Sequence, residues 1–105
     1  EHGEGGPNQE FALGLALNIG GSKGITAIAL GTDGTDGPTD IAGGIVDGYT
    51  LQRAENEGID VFRELRRHNS AYVLRKLGDA VYTGATGTNV MGLKVILVTQ
   101  GVGKD

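Results

Sequence analysis

The chain has 105 residues, a net charge of −4 and a pI near 5.0. That length suits one domain burying roughly 60–70% of its unfolded surface, and the acidic balance disfavours non-specific binding to nucleic acid or anionic membranes, which depends on Lys and Arg neutralising phosphates. Without cysteine there are no disulfides or thiolate metal sites, and no apolar run reaches the roughly 20 residues of a membrane-spanning helix, so a soluble, cytoplasmic protein is expected.

The chain begins Glu1-His2-Gly3-Glu4-Gly5-Gly6, without methionine and in the manner of a loop, which suggests a piece of a longer protein. Its twenty glycines exceed the usual share of about 7%, but they fall in short groups between apolar segments and so mark loops. Residues 7–19 are apolar almost all round; Pro7 at the start, Glu10 in the first turn and Gly20-Gly21 at the end are helix signals. Residues 25–30, Ile-Thr-Ala-Ile-Ala-Leu, read as a buried strand.

Pro38-Thr39-Asp40 can start a second helix, in which Ile41, Ala42, Ile45 and Val46 repeat at the spacing of one helical face and which should end near Asp47-Gly48. Thr50 can cap a third, through Glu55, and Asp60 a fourth with Val61, Phe62 and Leu65 inward. Ser70 opens a fifth with Tyr72, Val73, Leu74 and Leu77 apolar, stopped at Gly78. Residues 80–82 and 93–99 read as strands. The loop between them is too short for a parallel crossover, so they should be antiparallel neighbours or separated by another strand. The expected class is α/β: a three-layer α/β/α domain, 1–105, around a small mixed, mostly parallel sheet.

Three segments carry the residues of chemistry. The first is Gly31-Thr32-Asp33-Gly34-Thr35-Asp36-Gly37-Pro38-Thr39-Asp40, directly after a strand, where α/β proteins present ligands. Asp36, Thr39 and Asp40 serve as turn and capping residues. Asp33 is the better functional candidate: it could hold Mg²⁺, orient a hydroxyl or act as a general base, and its type alone does not choose. The second is Thr83-Gly84-Ala85-Thr86-Gly87-Thr88-Asn89, where glycines let backbone N–H groups converge on an anion and Thr86, Thr88 and Asn89 add donors; a plain glycine-rich turn is the alternative. The third is Gly3 to Glu10, with Gly6 and Asn8, a glycine loop entering a helix N-terminus. It is neither a dinucleotide fingerprint nor a Walker loop. His68, beside Arg66 and Arg67, reads as solvated, and the six basic residues from Arg53 to Lys76, interleaved with Glu55, Glu57 and Glu64, as a solvated helical surface.

Taken in order, Gly5-Gly6-Pro7-Asn8-Gln9-Glu10, the Gly31 to Asp40 loop with Ala42-Gly43 and Val46-Asp47-Gly48, and Thr83-Gly84-Ala85-Thr86-Gly87-Thr88-Asn89-Val90 resemble the MOFRL domain, the C-terminal domain of two-domain, ATP-dependent glycerate kinases that also carry the label hydroxypyruvate reductase. The resemblance covers nearly the whole chain. It implies transfer of the γ-phosphoryl group of ATP, with Mg²⁺, to D-glycerate in a cleft shared with a larger N-terminal Rossmann-like domain absent from this chain, so that the isolated piece is inactive; a homodimer is left open. The residues that carry over are Asp33 as the catalytic group, with Gly6, Asn8, Thr32, Gly84, Thr86, Gly87, Thr88 and Asn89 binding substrate or phosphate; no metal ligand is assigned. The family pattern has arginine at Pro7, proline at Ala85 and Asn-Asp at Met91-Gly92. A non-catalytic ligand-binding or interface module is the alternative, and nothing in these residues supports a reductase.

Overall fold

A computed structural model describes residues 3–31, 40–83 and 92–98. The elements are helix α1 (Pro7–Ile19), strands β1 (Ile25–Gly31) and β2 (Gly43–Asp47), helices α2 (Thr50–Asn56), α3 (Val61–Arg66) and α4 (Ser70–Leu77), and strands β3 (Ala80–Val81) and β4 (Gly92–Val98). The strands form one sheet in the order β3-β2-β1-β4, and every pairing is antiparallel.

The α/β class therefore holds, but the mostly parallel sheet does not. The cause is local. The spacing of Ile41, Ala42, Ile45 and Val46 fits a helical face, yet Gly43 and Gly44 fall in its middle, where glycine weakens a helix by about 1 kcal/mol each relative to alanine, and Ile45 and Val46 favour strands. The segment becomes β2. With 43–47 forming a strand, only residues 32–42 join β1 to β2, fewer than the dozen or so that a parallel crossover needs, and the two strands lie antiparallel. Of the two arrangements expected for the strands at 80–81 and 92–98, it is separation that is found: they form opposite edges of the sheet, with β2 and β1 between.

The helices stack on one face. On α1, Ala12, Leu13, Ala16 and Ile19 are buried at helical spacing against Ala27 and Ala29 of β1 and Val46 of β2. In the β1–β2 register Ala27 faces Val46 and Ala29 faces Gly44, so these inward side chains form rows, and Gly44 leaves room for Leu74 of α4, whose Cδ1 would lie 2.8 Å from an added Cβ. The described helices thus cover one side of the sheet, in place of the two-sided sandwich expected.

Helix ends follow the sequence signals in most places. The Asp60 side chain accepts from the Arg63 N–H at 3.1 Å, and Gly58 and Gly78 adopt φ of 76° and 75° at the ends of α2 and α4. Thr50 is the first residue of α2 and not its cap; its hydroxyl accepts from the Asp47 N–H at 2.8 Å, closing the turn between β2 and α2. In α3 it is Phe62 that faces water, under the Arg66 guanidinium, while Glu64 is buried and accepts from the Asn69 amide at 2.9 Å. Tyr72 of α4 is likewise exposed. No described helix is long and apolar enough to cross a membrane.

Gly43 is the tightest point of the sheet: a Cβ there would collide with the Ala29 carbonyl oxygen and with Leu30 Cα. Both obstacles are backbone, so no rotamer change relieves the clash. Gly43→Ala should lower stability by at least about 2 kcal/mol, the scale of overpacking without relief, read as a shift in the urea midpoint at unchanged slope.

Candidate functional site

The ends of the two loops singled out in the sequence meet in one row across the sheet. Gly31, the last residue of β1, pairs with Gly92, the first of β4. The Gly31 N–H donates to the Ala42 carbonyl at 2.8 Å, and the Ala42 N–H donates to the Val81 carbonyl at 2.7 Å. The acidic loop thus leaves at Gly31 and returns at Ala42, while the glycine-threonine loop leaves just after Val81 and returns at Gly92. Antiparallel pairing produces this: each loop joins a strand end to a strand start at the same edge. Thr32, Asp33, Gly84, Thr86, Gly87, Thr88 and Asn89 themselves lie outside the described residues.

The third segment is joined to this edge by Lys94. Two positions along β4 from Gly92, its ammonium donates to Asn8 Oδ1 at 3.1 Å and stands 5.3 Å from the centre of the Phe11 ring. Asn8 is buried in the first turn of α1. Gly6 is the N-cap and brings no capping side chain, so the electropositive start of the helix dipole is joined by the charge of Lys94. Those are the requirements of an anion.

A second cation ties the same loops from the opposite edge. Arg75 of α4 donates to Glu4 Oε1 and to Asp40 Oδ1, each at 2.9 Å, and a hydrogen bond with Tyr82 adds to these. Tyr82, and then the Glu4 and Asp40 partners, push the guanidinium pKa up, so it stays charged. Glu4 lies just before Gly6, Asp40 closes the acidic loop and Tyr82 opens the glycine-threonine loop. One side chain therefore touches two of the segments and the residue that leads into the third. The strap before α1 is also held by backbone bonds: Gly3 N–H to the Arg67 carbonyl and Ala71 N–H to the Glu4 carbonyl, both 2.8 Å.

Of the residues expected in the site, Gly6 and Asn8 are thus at the row of loop ends. Arg75 and Lys94 were missed. Arg75 lies in a charged helical stretch that reads as solvent-facing, and no motif marks it. Lys94 had a usable signal, as the single charge inside Leu93-Lys94-Val95-Ile96-Leu97-Val98. His68 is exposed as expected, with Nδ1 3.0 Å from Glu10 Oε2. Among the described residues no group of three or more His, Cys, Asp or Glu is placed to hold a metal ion. A recess of about 400 Å³ lined by Leu17, Leu51, Ile59, Val61 and Phe62, with Glu55 and Asp60, involves α1, α2 and α3 and shares no residue with the loop row.

Comparison with known proteins agrees with this architecture. The MOFRL family pattern matches residues 1–92. A glycerate 2-kinase of Pyrococcus horikoshii is 48% identical over 102 residues, which are 97% of this chain and 23% of that protein. A protein of Agrobacterium vitis named as a hydroxypyruvate reductase is 45% identical over 96 residues, 91% of this chain and 22% of that protein. The crystal structure of glycerate kinase from Thermotoga maritima superposes with a TM-score of 0.91 at 46% identity, covering 93% of this chain and 24% of that one. The chain thus spans about a quarter of the length of the relatives it matches.

The Arg75 ion pairs are exposed, and such pairs contribute at most about 1 kcal/mol. Arg75→Met should therefore cost no more than about 1 kcal/mol in urea unfolding at low salt, and the cost should shrink in about 1 M salt, where the Debye length falls to roughly 3 Å. A large, salt-independent loss would instead mean that Arg75 holds the fold together.

Proposed function

Because this chain belongs to the MOFRL family, we propose that it forms one wall of the active site of an ATP-dependent glycerate kinase, acting as the C-terminal domain of a longer two-domain enzyme. The observation that carries the reading is the convergence of three segments on one sheet edge: the ends of the acidic loop, the ends of the glycine-threonine loop, and the start of α1 with Lys94 and Asn8. The names of the relatives support the substrate, and the 2-kinase among them supports the hydroxyl at position 2 as the acceptor.

Phosphoryl transfer requires mainly that groups be positioned and charge be neutralised. Glycerate brings a carboxylate and ATP a chain of phosphates, so the wall needs cations and N–H donors. The start of α1, with Gly6 and Asn8, and the Lys94 ammonium are suited to one anionic group. Gly84, Thr86, Gly87, Thr88 and Asn89 would hold a second by backbone and hydroxyl donors, and Thr32 would assist at the neighbouring loop. Asp33 would orient the attacking hydroxyl of glycerate. Mg²⁺, if bound with ATP, would supply charge neutralisation at the phosphates; among the described residues no carboxylate cluster is placed to hold it, so its ligands would come from Asp33 or from the rest of the longer chain. Arg75 would act as a positioning residue, holding the loop bases in register without touching substrate.

The test uses the full-length enzyme and glycerate-dependent ADP formation. Asp33→Ala should reduce kcat by about 10²-fold or more, the range for loss of a positioned acid–base group; activity within a few-fold of the parent, with folding intact, overturns the assignment. Lys94→Met should raise KM for an anionic substrate by about 10- to 100-fold, the equivalent of one charge-assisted hydrogen bond, with a smaller change in kcat. An unchanged KM for both glycerate and ATP removes Lys94 from the site.

A further inference from the structure

The side of the sheet opposite the helices is apolar, and among the described residues nothing covers it. On β1, Ile28 and Leu30 point away from α1, because Ala27 and Ala29 between them point toward it. The register sets Val95 and Ile45 on either side of Ile28, and Leu93 beside Leu30, with Leu97 one step further along β4. Leu93, Val95, Leu97 and Ile45 are 47%, 37%, 55% and 39% exposed. The ionisable group in these rows is Asp47, opposite Thr26 at the far end.

The other side of β4 repeats the pattern. Ile96 and Val98 lie on the helix side of the sheet, yet are 53% and 68% exposed. An antiparallel strand with one wet face alternates apolar and polar residues, whereas a near-continuous apolar run marks a strand buried on both faces. β4 has the composition of a buried strand in the position of an edge strand. The helices α2, α3 and α4 instead carry exposed charges, among them Arg53, Glu55, Arg63, Arg66, Arg75 and Lys76. A contiguous apolar surface of this kind, well beyond singly scattered side chains, marks an interaction site.

We propose that this open face is the seat of another domain of the same, longer chain. The length of the relatives names the occupant: in the Thermotoga maritima glycerate kinase this fold makes up 24% of the chain, so three-quarters of the polypeptide is tethered to it. A tethered partner acts at an effective concentration of roughly millimolar, far above what a second copy reaches in dilute solution. The face also borders the loop row, since Leu30 precedes Gly31 and Leu93 follows Gly92. A domain seated there would close the candidate site from the side that this chain leaves open. The inference rests on the two-domain part of the preceding reading and not on the chemistry assigned to it.

Thiol protection tests this, because these 105 residues contain no cysteine. Leu97→Cys and Ile45→Cys, introduced singly into the full-length chain, are alkylated with iodoacetamide, and each rate is compared by peptide mass spectrometry with that of the same thiol in denaturant. Both thiols should react at least about tenfold more slowly in the folded chain, since a covered site reacts only through local opening, and the protection should survive about hundredfold dilution in a monomer. Rates within a few-fold of the denatured values overturn the proposal, and so does protection that is lost on dilution, which would assign the face to a second copy. Because alkylation does not depend on turnover, an inactive enzyme with protected thiols would sink the glycerate kinase reading alone.

Discussion

The close approach of β2 to β1 and to α4 governs much of the rest of this structure. Gly43 lies against the Ala29 carbonyl and Leu30 Cα, and Gly44 lies under Leu74; the partners above them are also small, with Ala27 and Ala29 on the strand and Ala12 and Ala16 on the helix. Small side chains on three adjoining elements let the backbones come close enough for a thin core to close around a few larger residues such as Leu13 and Leu74. That suits a chain of this length, in which the surface available for burial is limited. It also explains why a segment with helical spacing became a strand: the pairing and packing gained by β2 outweigh its weak local preference, as tertiary context commonly does.

Once β2 pairs antiparallel to β1, the placement of the loops follows. In a parallel sheet, strand ends and strand starts lie at opposite edges, and helices carry the chain between them. Here one edge collects the end of β1, the start of β2, the end of β3 and the start of β4. Two glycine-rich loops thereby have all four of their ends within one hydrogen-bonded row. Neither loop needs a helix to position it, and the cations that meet their bases come from elsewhere: Lys94 from the strand on one side and Arg75 from the helix on the other.

Much of this was legible in the residues, and the exceptions have physical causes. Local signals worked where one residue type satisfies one local demand: Pro7 at the start of α1, the Asp60 carboxylate on the first N–H groups of α3, and Gly58 and Gly78 in left-handed conformations. They failed at 41–46, where the i, i+1, i+4, i+5 spacing fits a helical face while in the strand Ile45 and Val46 point to opposite sides, and the glycine pair with two β-branched residues argued against the helix. Parallel or antiparallel order was then misjudged as a consequence. In α3 the inward stripe runs through Val61, Glu64 and Leu65, with the Glu64 carboxylate accepting from Asn69, which leaves Phe62 on the exposed side. For the candidate site, a glycine loop before a helix pointed to Gly6 and Asn8, whereas the contacts of Arg75 and Lys94 join residues 35 to 86 positions apart, and only the lone charge of Lys94 in an apolar strand hinted at one of them.

The two faces of the sheet also differ in what they require of solvent. Over β1 and β2 the helix side is sealed by apolar residues such as Leu13, Ala16 and Leu74, and the helices carry Arg, Lys and Glu side chains, which stay hydrated at little cost. The open side places leucine, isoleucine and valine in water, and because adjacent strands align them in rows the apolar surface is continuous. Burying such a surface yields roughly 25 cal/mol per Å², a driving force that a polar loop edge alone does not have. The loop row lies where these regions meet. Its donors and cations would give an anion its binding partners, while the apolar rows beside it would supply the adhesion needed to exclude water from a shared cleft, where those charges act more strongly than in bulk solvent.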